Sequence, residues 1–567
     1  MLSTTHFASS RVRIILKLFH QLLVAPAALG LLAPMAANAT ELNINGVSDY
    51  SATGEQVTSI TQFSDVYPTD WAYQALSNLI ERYGCVAGYP NGTYRGNRAM
   101  TRFEAAALLN ACLDRVTEVT DELKRLMKEF EKELAILKGR VDGLEARVGE
   151  LEATQFSTTT KLKGVATFVI GANSFGGDAK EVGGKKRADA AAAMSGATSF
   201  NYDLKLFLDT SFTGKDLLRT VLRSGNFGNS AFGGGGYVGL DALEVAFEEA
   251  SGANSVGVDR LFYQFPIGDS FTATVGGRVR QDDMLAVWPS AYPADTVLDV
   301  FTYAGAPATY NLGLGSGAGL SWESDDFSIS ANYLSTNGQL SNPGNKAGDP
   351  LVGECDGAGG IATDCAGSNG TVQIAYAPEN WGLAAAYNYT SKNAGTLYAG
   401  NGTPLATAFT SNGNNSSVGL SAWWSPEEAG WFPSISSGWG FNSITNGDNT
   451  QVYRSATSQS WYVGLQWADA FLKGNTLGLA VGQPTFVTDV EYRNSVSESD
   501  FVADGNYAWE FWYAFQVTDN ITVTPAIYYL SRPYGDLTDG GNSAFGGNRG
   551  DETFNNFGGL VKTTFKF

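Results

Sequence analysis

The sequence predicts a mainly β protein, a transmembrane antiparallel β-barrel of about 16 strands preceded by a small α-helical domain and a coiled coil. Three observations carry this. Short runs alternating apolar with polar residues fill the chain after Phe156, a 4-3 apolar spacing runs through 116–151, and the first 39 residues have the order of an export signal.

Taken in order, the chain begins with Arg11, Arg13 and Lys17, then a mostly apolar run from Leu22 to Leu32, then Ala37-Asn38-Ala39. Residues 1–39 read as a signal peptide cleaved after Ala39. Pro26 and Pro34 interrupt the run and no later apolar stretch is long enough for a membrane helix. Both histidines, His6 and His20, lie in this segment, so the exported chain has none. That excludes Ser-His-Asp and Cys-His catalysis and removes the commonest zinc ligand. Any chemistry would rest on carboxylates. No catalytic residue, metal site, cofactor or nucleic-acid partner is therefore expected from a chain with 57 acidic and 37 basic side chains. Of the four cysteines, Cys355 and Cys365 bracket a Gly-rich loop and are expected to form a disulfide in an oxidising compartment. Cys85 and Cys112 are either a second disulfide or two small buried hydrophobes.

Residues 40–61 form a polar lead-in without periodicity. Residues 62–116 change character. Asp70 is placed to cap a helix with Trp71, Ala75, Leu76, Leu79 and Ile80 on its apolar face, and Thr101 with Glu104 makes a capping box for a second. The turn cluster Gly88-Tyr89-Pro90-Asn91-Gly92 separates them. Phe63-Ser64-Asp65-Val66, Asp70-Trp71-Ala72, Gly88 to Tyr94 and Thr101-Arg102-Phe103-Glu104 occur in the order and spacing of a surface-layer homology domain, and the segment resembles one. The resemblance implies binding to acidic polysaccharide attached to peptidoglycan, with Asp65, Trp71, Gly88, Tyr89, Arg102 and Glu104 as site residues. Phe103 stands where the family usually has alanine. Arg102 would make a forked contact to a sugar-borne carboxylate, against the plainer alternative of pairing with a neighbouring carboxylate. The family usually combines three copies, and this chain has one.

Residues 117–155 read as a coiled coil. Its seam is Leu123, Met127, Phe130, Leu134, Leu137, Val141, Leu144, Val148 and Leu151, with mixed charge between. At ~1.5 Å per residue it would reach roughly 50 Å. Zipped chains would pool weak wall-binding domains. A homo-oligomer is expected, and a trimer on architecture and family, since the seam alone fits two strands or three.

Residues 156–567 alternate. Phe200, Tyr202, Leu204, Leu206 and Leu208 share one face, and Asn201, Asp203, Lys205 and Asp209 the other, as a lipid face and a lumen face would. The pattern returns in Phe271-Ala273-Val275-Val279 against Thr272-Thr274-Arg278-Arg280, and in Trp509-Phe511-Tyr513-Phe515 against Glu510 and Gln516. The last run, Val561-Thr563-Phe565-Phe567, ends on an aromatic residue, like the terminal strand recognised during outer-membrane insertion. A soluble β-sandwich would alternate too, but this length of sandwich should show internal repeats, and none is visible.

Signal, surface-layer homology domain, coiled coil and barrel together resemble the major porins of cyanobacterial outer membranes, described as iron-uptake or carbohydrate-selective porins. The resemblance implies passive passage of small solutes and inorganic ions, iron among them, through a barrel in outer-membrane lipid tethered to the wall. A structural tether with a closed barrel is the alternative. The residues themselves require only a polar inner wall carrying both signs of charge. Lys205, Arg278, Arg280, Asp282, Asp283 and Glu510 are the candidate pore-lining or constriction residues. Gln281 to Val300 is the candidate constriction loop, its aspartates facing arginines across the lumen to make a transverse field. An ordinary external loop with an acidic face fits these residues equally. Gly214-Lys215-Asp216 lacks the Ser or Thr of a phosphate loop, and Asp325-Asp326 reads as a turn.

Overall fold

The computed structural model describes residues 59–70, a few positions between 73 and 131, and 159–567 except 182–183, 295–296, 345–354, 356, 447–452, 494–499 and 539–551. The chain divides into two compact units, Met1–Gln155 and Phe156–Phe567.

In the first unit, Ile60, Phe63, Leu76 and Ile80 form a small core with Val66, Tyr73 and Tyr94 packed against it. Asp65 accepts a hydrogen bond from the Tyr94 backbone N–H at 2.6 Å, joining two sequence-distant motifs. The carboxylate of Asp70 reaches back to the Tyr67 N–H at 2.8 Å. Trp71, Gly88, Tyr89, Arg102, Glu104, Cys85, Cys112, the export signal and every seam residue except Phe130 lie outside the described residues.

The second unit is a closed antiparallel barrel. Its strands are β1 (Thr160–Gly177), β2 (Ser199–Thr210), β3 (Leu217–Gly225), β4 (Gly257–Ile267), β5 (Phe271–Arg280) and β6 (Leu314–Ser324). They continue as β7 (Phe327–Ser335), β8 (Ser368–Tyr376), β9 (Trp381–Thr390), β10 (Asn414–Trp424), β11 (Ser434–Thr445) and β12 (Tyr453–Ala468). The last are β13 (Thr476–Tyr492), the two-residue β14 (Asp500–Phe501), β15 (Tyr507–Thr518), β16 (Ile521–Ser531) and β17 (Phe554–Lys566). Each strand pairs with its sequence neighbour, β13 pairs with β15 past β14, and β1 pairs with β17 from Val165 opposite Lys566 to Gly177 opposite Phe554. Sixteen spanning strands thus close on themselves and leave no open edge, as a spanning sheet in hydrocarbon requires.

The alternation has a direct physical outcome. Along β9, Trp381, Leu383 and Tyr387 are 40%, 52% and 47% exposed, whereas Asn388 and Thr390 are fully buried. A soluble sheet would hide the first set. Here the apolar face is the outside of the cylinder and the polar face the inside. The connections 211–216, 268–270, 325–326, 377–380 and 519–520 are short and lie at one rim, together with both ends of the barrel. The opposite rim carries long loops such as 226–256, 281–313 and 336–367. By the usual asymmetry the short rim is periplasmic. At that rim Phe567 exchanges both backbone hydrogen bonds with Gly164, N···O 2.6 and 3.0 Å. A Cβ at Gly164 would lie 2.3 Å from the Phe567 ring, so glycine here lets that ring fold over the strand. Asp325 adopts φ +49°, closing the tight turn expected at Asp325-Asp326.

Candidate channel lining and constriction

The inner face of β2–β5 is a charged wall. Register sets its chemistry: Asp209 lies opposite Arg219 and Lys205 opposite Arg223 in the β2–β3 ladder. Arg219 forks onto Asp209 (2.8 and 3.0 Å) and Arg223 onto Asp203 (2.7 and 3.2 Å). The Lys205 ammonium sits 3.5 Å from Asp203 and 3.9 Å from Glu244. Lys163 of β1 adds a contact to Asp209 at 3.3 Å. The register shift between Val221 and Leu222 leaves Asp259 of β4 as an extra, unpaired residue in the ladder beside Arg260, which stands opposite Val221. Arg260 then binds Asp259 at 2.5 Å and Asp283 at 2.8 Å.

Immediately after β5 the short 3-10 turn Gln281–Met284 begins the loop 281–313, which enters the barrel. The Ala286 N–H donates to Ser330 of β7 at 2.9 Å, and the Ala291 and Tyr292 N–H groups both donate to Ser436 of β11. The loop reaches the far wall at β15. There Tyr292 donates its hydroxyl to Glu510 at 2.8 Å, the Leu298 N–H donates to the other oxygen at 2.7 Å, and Trp512 donates to the Tyr292 hydroxyl. The return path crosses β10–β12 and ends with Asn311, which exchanges amide hydrogen bonds with Asn388 of β9 and Asn369 of β8.

Glycines in the wall make room for this crossing. A Cβ on Gly438 would meet the Ala304 carbonyl oxygen at 1.8 Å, one on Gly440 would meet Ala306 at 2.9 Å, and one on Gly464 would meet Tyr292 at 2.6 Å. Gly305 itself has φ +76°, which a side chain resists. A second loop, 226–256, joins the first through a Leu243–Leu298 antiparallel bridge. Phe232, Leu240 and Leu243 from this loop, with Val297, Leu298 and Phe301 from 281–313, build a dry core with inward residues of β12–β17 such as Tyr462, Trp512 and Tyr528. Part of the lumen is therefore packed protein.

The predicted lining residues fare differently. Lys205, Arg280, Asp282 and Asp283 gather on the charged wall and the loop start. The expected field across the lumen is corrected, because the charges pair side by side: Arg280 forks onto Asp282 at 2.5 Å and Asp283 takes Arg260. Arg278 is also corrected. One extra residue bulges β5 between Gly276 and Val279 and reverses the facing of Arg278 and Val279. Val279 thereby turns inward, fully buried against Phe262, Met284 and Leu334, and Arg278 is exposed opposite the outward Leu261. Glu510 points inward as its strand position predicts, but at 2% exposure it lies under the loop and anchors it instead of lining water. Asp295 is outside the described residues. Asp209, Arg219, Arg223 and Arg260 are absent from the predicted set; Asp209 is on the predicted polar face, but its partners appear only with the register. Among the described residues no three His, Cys, Asp or Glu side chains gather as metal ligands. In the loop 336–367, Cys355 and Cys365 form a disulfide with Cα atoms 5.4 Å apart.

A closed sixteen-strand barrel with an apolar outer belt, a charged inner wall and an inserted loop defines an outer-membrane diffusion barrel. Residues 118–567 match the carbohydrate-selective porin, OprB family, and residues 62–106 match the S-layer homology domain. The chain belongs to the OprB family of outer-membrane porins and carries an N-terminal S-layer homology domain. An uncharacterized protein of Nostoc sp. is 35% identical over 574 residues, covering 92% of this chain and 88% of that protein. One from Synechocystis sp. is 32% identical, covering 86% and 89%. The outer membrane protein SlpA of Thermus thermophilus is 34% identical over 103 residues, 15% of this chain and 11% of SlpA. Among solved structures, Pseudomonas putida OprB has a TM-score of 0.41 at 11% identity, covering 72% of this chain and 94% of that one.

Proposed function

We propose that the barrel conducts small polar solutes, carbohydrates and inorganic ions including iron among them, along the charged wall of β2–β5 beside the inserted loop, with loop 281–313 as the constriction. The observation that carries this is the partial exposure of the charged wall: the side chains of Lys205, Arg219, Arg280 and Asp282 are 20–31% exposed inside a lumen whose other side is dry. Ion pairs left in water offer hydrogen-bond partners to a hydrated solute without trapping one sign of charge. Planar-bilayer recording of the purified protein is expected to give discrete conductance steps. Liposome uptake of ferric, ferrous and sugar solutes side by side would rank the cargo. We further read residues 1–39 as the export signal and residues 117–155 as a coiled coil joining three chains, with Arg102 gripping peptidoglycan-linked acidic polysaccharide. Arg102→Ala should then loosen binding to purified cell wall and leave conductance unchanged; unaltered wall binding would sink the assignment.

A structural tether with a closed barrel is the second reading. The apolar core built by loops 226–256 and 281–313 inside the lumen favours it. A bilayer that stays silent with folded protein would select it.

A further inference from the structure

Loops 226–256 and 281–313 meet inside the lumen as a short two-stranded ribbon. Beside the Leu243–Leu298 bridge, the Asp299 N–H donates to the Ala242 carbonyl at 3.0 Å and the Glu244 N–H to the Val297 carbonyl at 3.2 Å. Each strand of the ribbon carries a buried aspartate. Asp241, fully buried, accepts from the amides of Asn173 on β1 (3.2 Å) and Asn556 on β17 (3.3 Å), which ties loop 226–256 to the two strands that close the barrel. Asp299, 6% exposed, accepts from the hydroxyls of Tyr303 (2.8 Å) and of Tyr398 in the segment 391–403. The side-chain donors on both carboxyls are neutral. Asp203 and Asp209 of the wet wall, by contrast, hold arginine and lysine. A buried carboxylate without a paired cation is costly, and a proton removes that cost. The Oδ1 atoms of Asp241 and Asn556 point the same way: both are buried acceptors without a partner, on side chains already joined through Oδ2 and Nδ2. A protonated Asp241 supplies the donor this pair lacks.

We propose that this ribbon is a proton-operated latch on the channel: protonated Asp241 and Asp299 hold the two loops across the lumen, and their ionisation releases the loops and widens the pore. The latch rests on the channel reading above. Facing Asp241 are Tyr528 of β16, which donates its hydroxyl to Asn173 at 2.6 Å, and Tyr534 of the loop after β16. Facing Asp299 are Tyr398, Tyr303, Glu244 of loop 226–256 and Arg280 at the end of β5. Burial raises the Asp299 carboxyl to about 7, against the two tyrosine hydrogen bonds; the charge of Glu244 adds to the rise and that of Arg280 opposes it. Burial also holds Asp241 well above the usual carboxylate range. A released aspartate titrates near ~3.9, so the latched state binds more protons than the open one. Its stability is fully present below ~4 and falls as pH rises, to about 7 for Asp299, with Asp241 acting in the same direction. Once ionised, the ribbon carries Asp241, Glu244 and Asp299 as three negative charges.

The test uses the full-length purified protein in a planar bilayer, recorded in potassium chloride at pH 5 and at pH 8, a range in which lysine, arginine and tyrosine keep their charge state. Each carboxyl can shift the opening equilibrium by up to about tenfold per pH unit, so occupancy of the larger conductance should rise about tenfold or more between the two values. Asp241→Asn with Asp299→Asn, which never ionise, should hold the channel at its pH 5 conductance at pH 8. A channel that conducts equally at both values overturns the latch and leaves the channel reading standing. A rise that the double variant keeps also overturns the latch. A silent bilayer overturns the channel reading instead. Amide hydrogen exchange of the parent protein in residues 239–245 and 297–303, corrected for the intrinsic rate, then decides the latch, and it does so too if the double variant fails to fold. More frequent opening at pH 8 than at pH 5 supports it, and equal or rarer opening refutes it.

Discussion

The two long walls of the barrel interior use opposite chemistry. On β2–β5 the inward residues are Asp203, Lys205, Asp209, Arg219, Arg223 and Arg260, held in lateral ion pairs and partly wet. On β7–β12 they are Ser330, Asn369, Thr371, Asn388, Ser417, Ser436 and Ser460 with Gly419, Gly438 and Gly440, neutral and buried under loop 281–313. The loop chooses its wall for a physical reason. Backbone groups leaving a strand still need partners, and short neutral amides and hydroxyls provide them close to the sheet without the desolvation cost of ions. Charged side chains are longer and better solvated, so the wall that keeps them is the one left to water.

The largest effect should come from unbalancing the charged wall. Asp203 is 2% exposed and holds both Arg223 and Lys205. Removing one partner of a buried pair costs ~3–5 kcal/mol, because the other charge stays behind. Asp203→Ala should therefore lower the denaturant midpoint of the refolded barrel strongly, and Asp203→Ala with Arg223→Leu should recover much of the loss. Equal stability of the single variant and the parent would show this wall to be solvated throughout.

Next in size is an assault on the neutral wall. Gly438→Val places a Cβ onto the Ala304 carbonyl, and overpacking of this kind costs ~1–3 kcal/mol. The strand is fixed by ladders on both sides, so the loop should yield. Under the constriction reading conductance rises severalfold, and an unchanged conductance would mean that the loop does not limit flow. A smaller change is expected from Asp282→Asn with Asp283→Asn. Two negative charges leave the wet side, freeing Arg280, and the reversal potential in a salt gradient should move toward anion preference.

How legible these walls are in the sequence follows from the range of the interactions that make them. The barrel is legible because period-2 alternation is a local signal, as in the run from Phe200 to Asp209. The insertion of 281–313 is partly legible, since Trp288, Pro289 and Pro293 after a strand suggest a compact loop. Its seat is not, because Gly419, Gly438 and Gly440 read as weak strand residues until another segment lies on them. Arg278 misleads for a sharper reason. A single inserted residue inverts the assignments of Arg278 and Val279, while Arg280 at the strand end still reaches Asp282 of the loop, and Gly276-Gly277 alone does not say whether a bulge forms. Lateral pairing of Arg260 with Asp283 and of Arg280 with Asp282 depends on that same geometry, which is why arginines and aspartates look like opposing charges on paper and are adjacent ones in the fold.

The smallest effect concerns what covers the inward face of the sheet near the long-loop rim. In the loop 493–506, Asp504 accepts hydrogen bonds from the Thr403 hydroxyl (2.5 Å), the Val487 N–H (2.8 Å) and the Asp536 N–H (2.9 Å). It thereby staples three long loops around α1 (Pro404–Asn412), whose Leu405 and Phe409 pack on Ile444, Val487 and Val490. Burial raises its carboxyl to about 7, opposed by those three hydrogen bonds and assisted by the charge of Asp536. A free aspartate titrates near ~3.9, so the stapled state holds more protons than the open one between these values. Its stability is fully present in acid, falls as pH rises from ~4 to about 7, and is level above. Amide hydrogen exchange in residues 403–412 should therefore report more frequent opening at pH 8 than at pH 5, after correction for the intrinsic rate. Asp504→Asn, which never ionises, should remove that difference. If the variant keeps the same pH dependence, the opening is governed by the apolar seat of α1 and not by the staple.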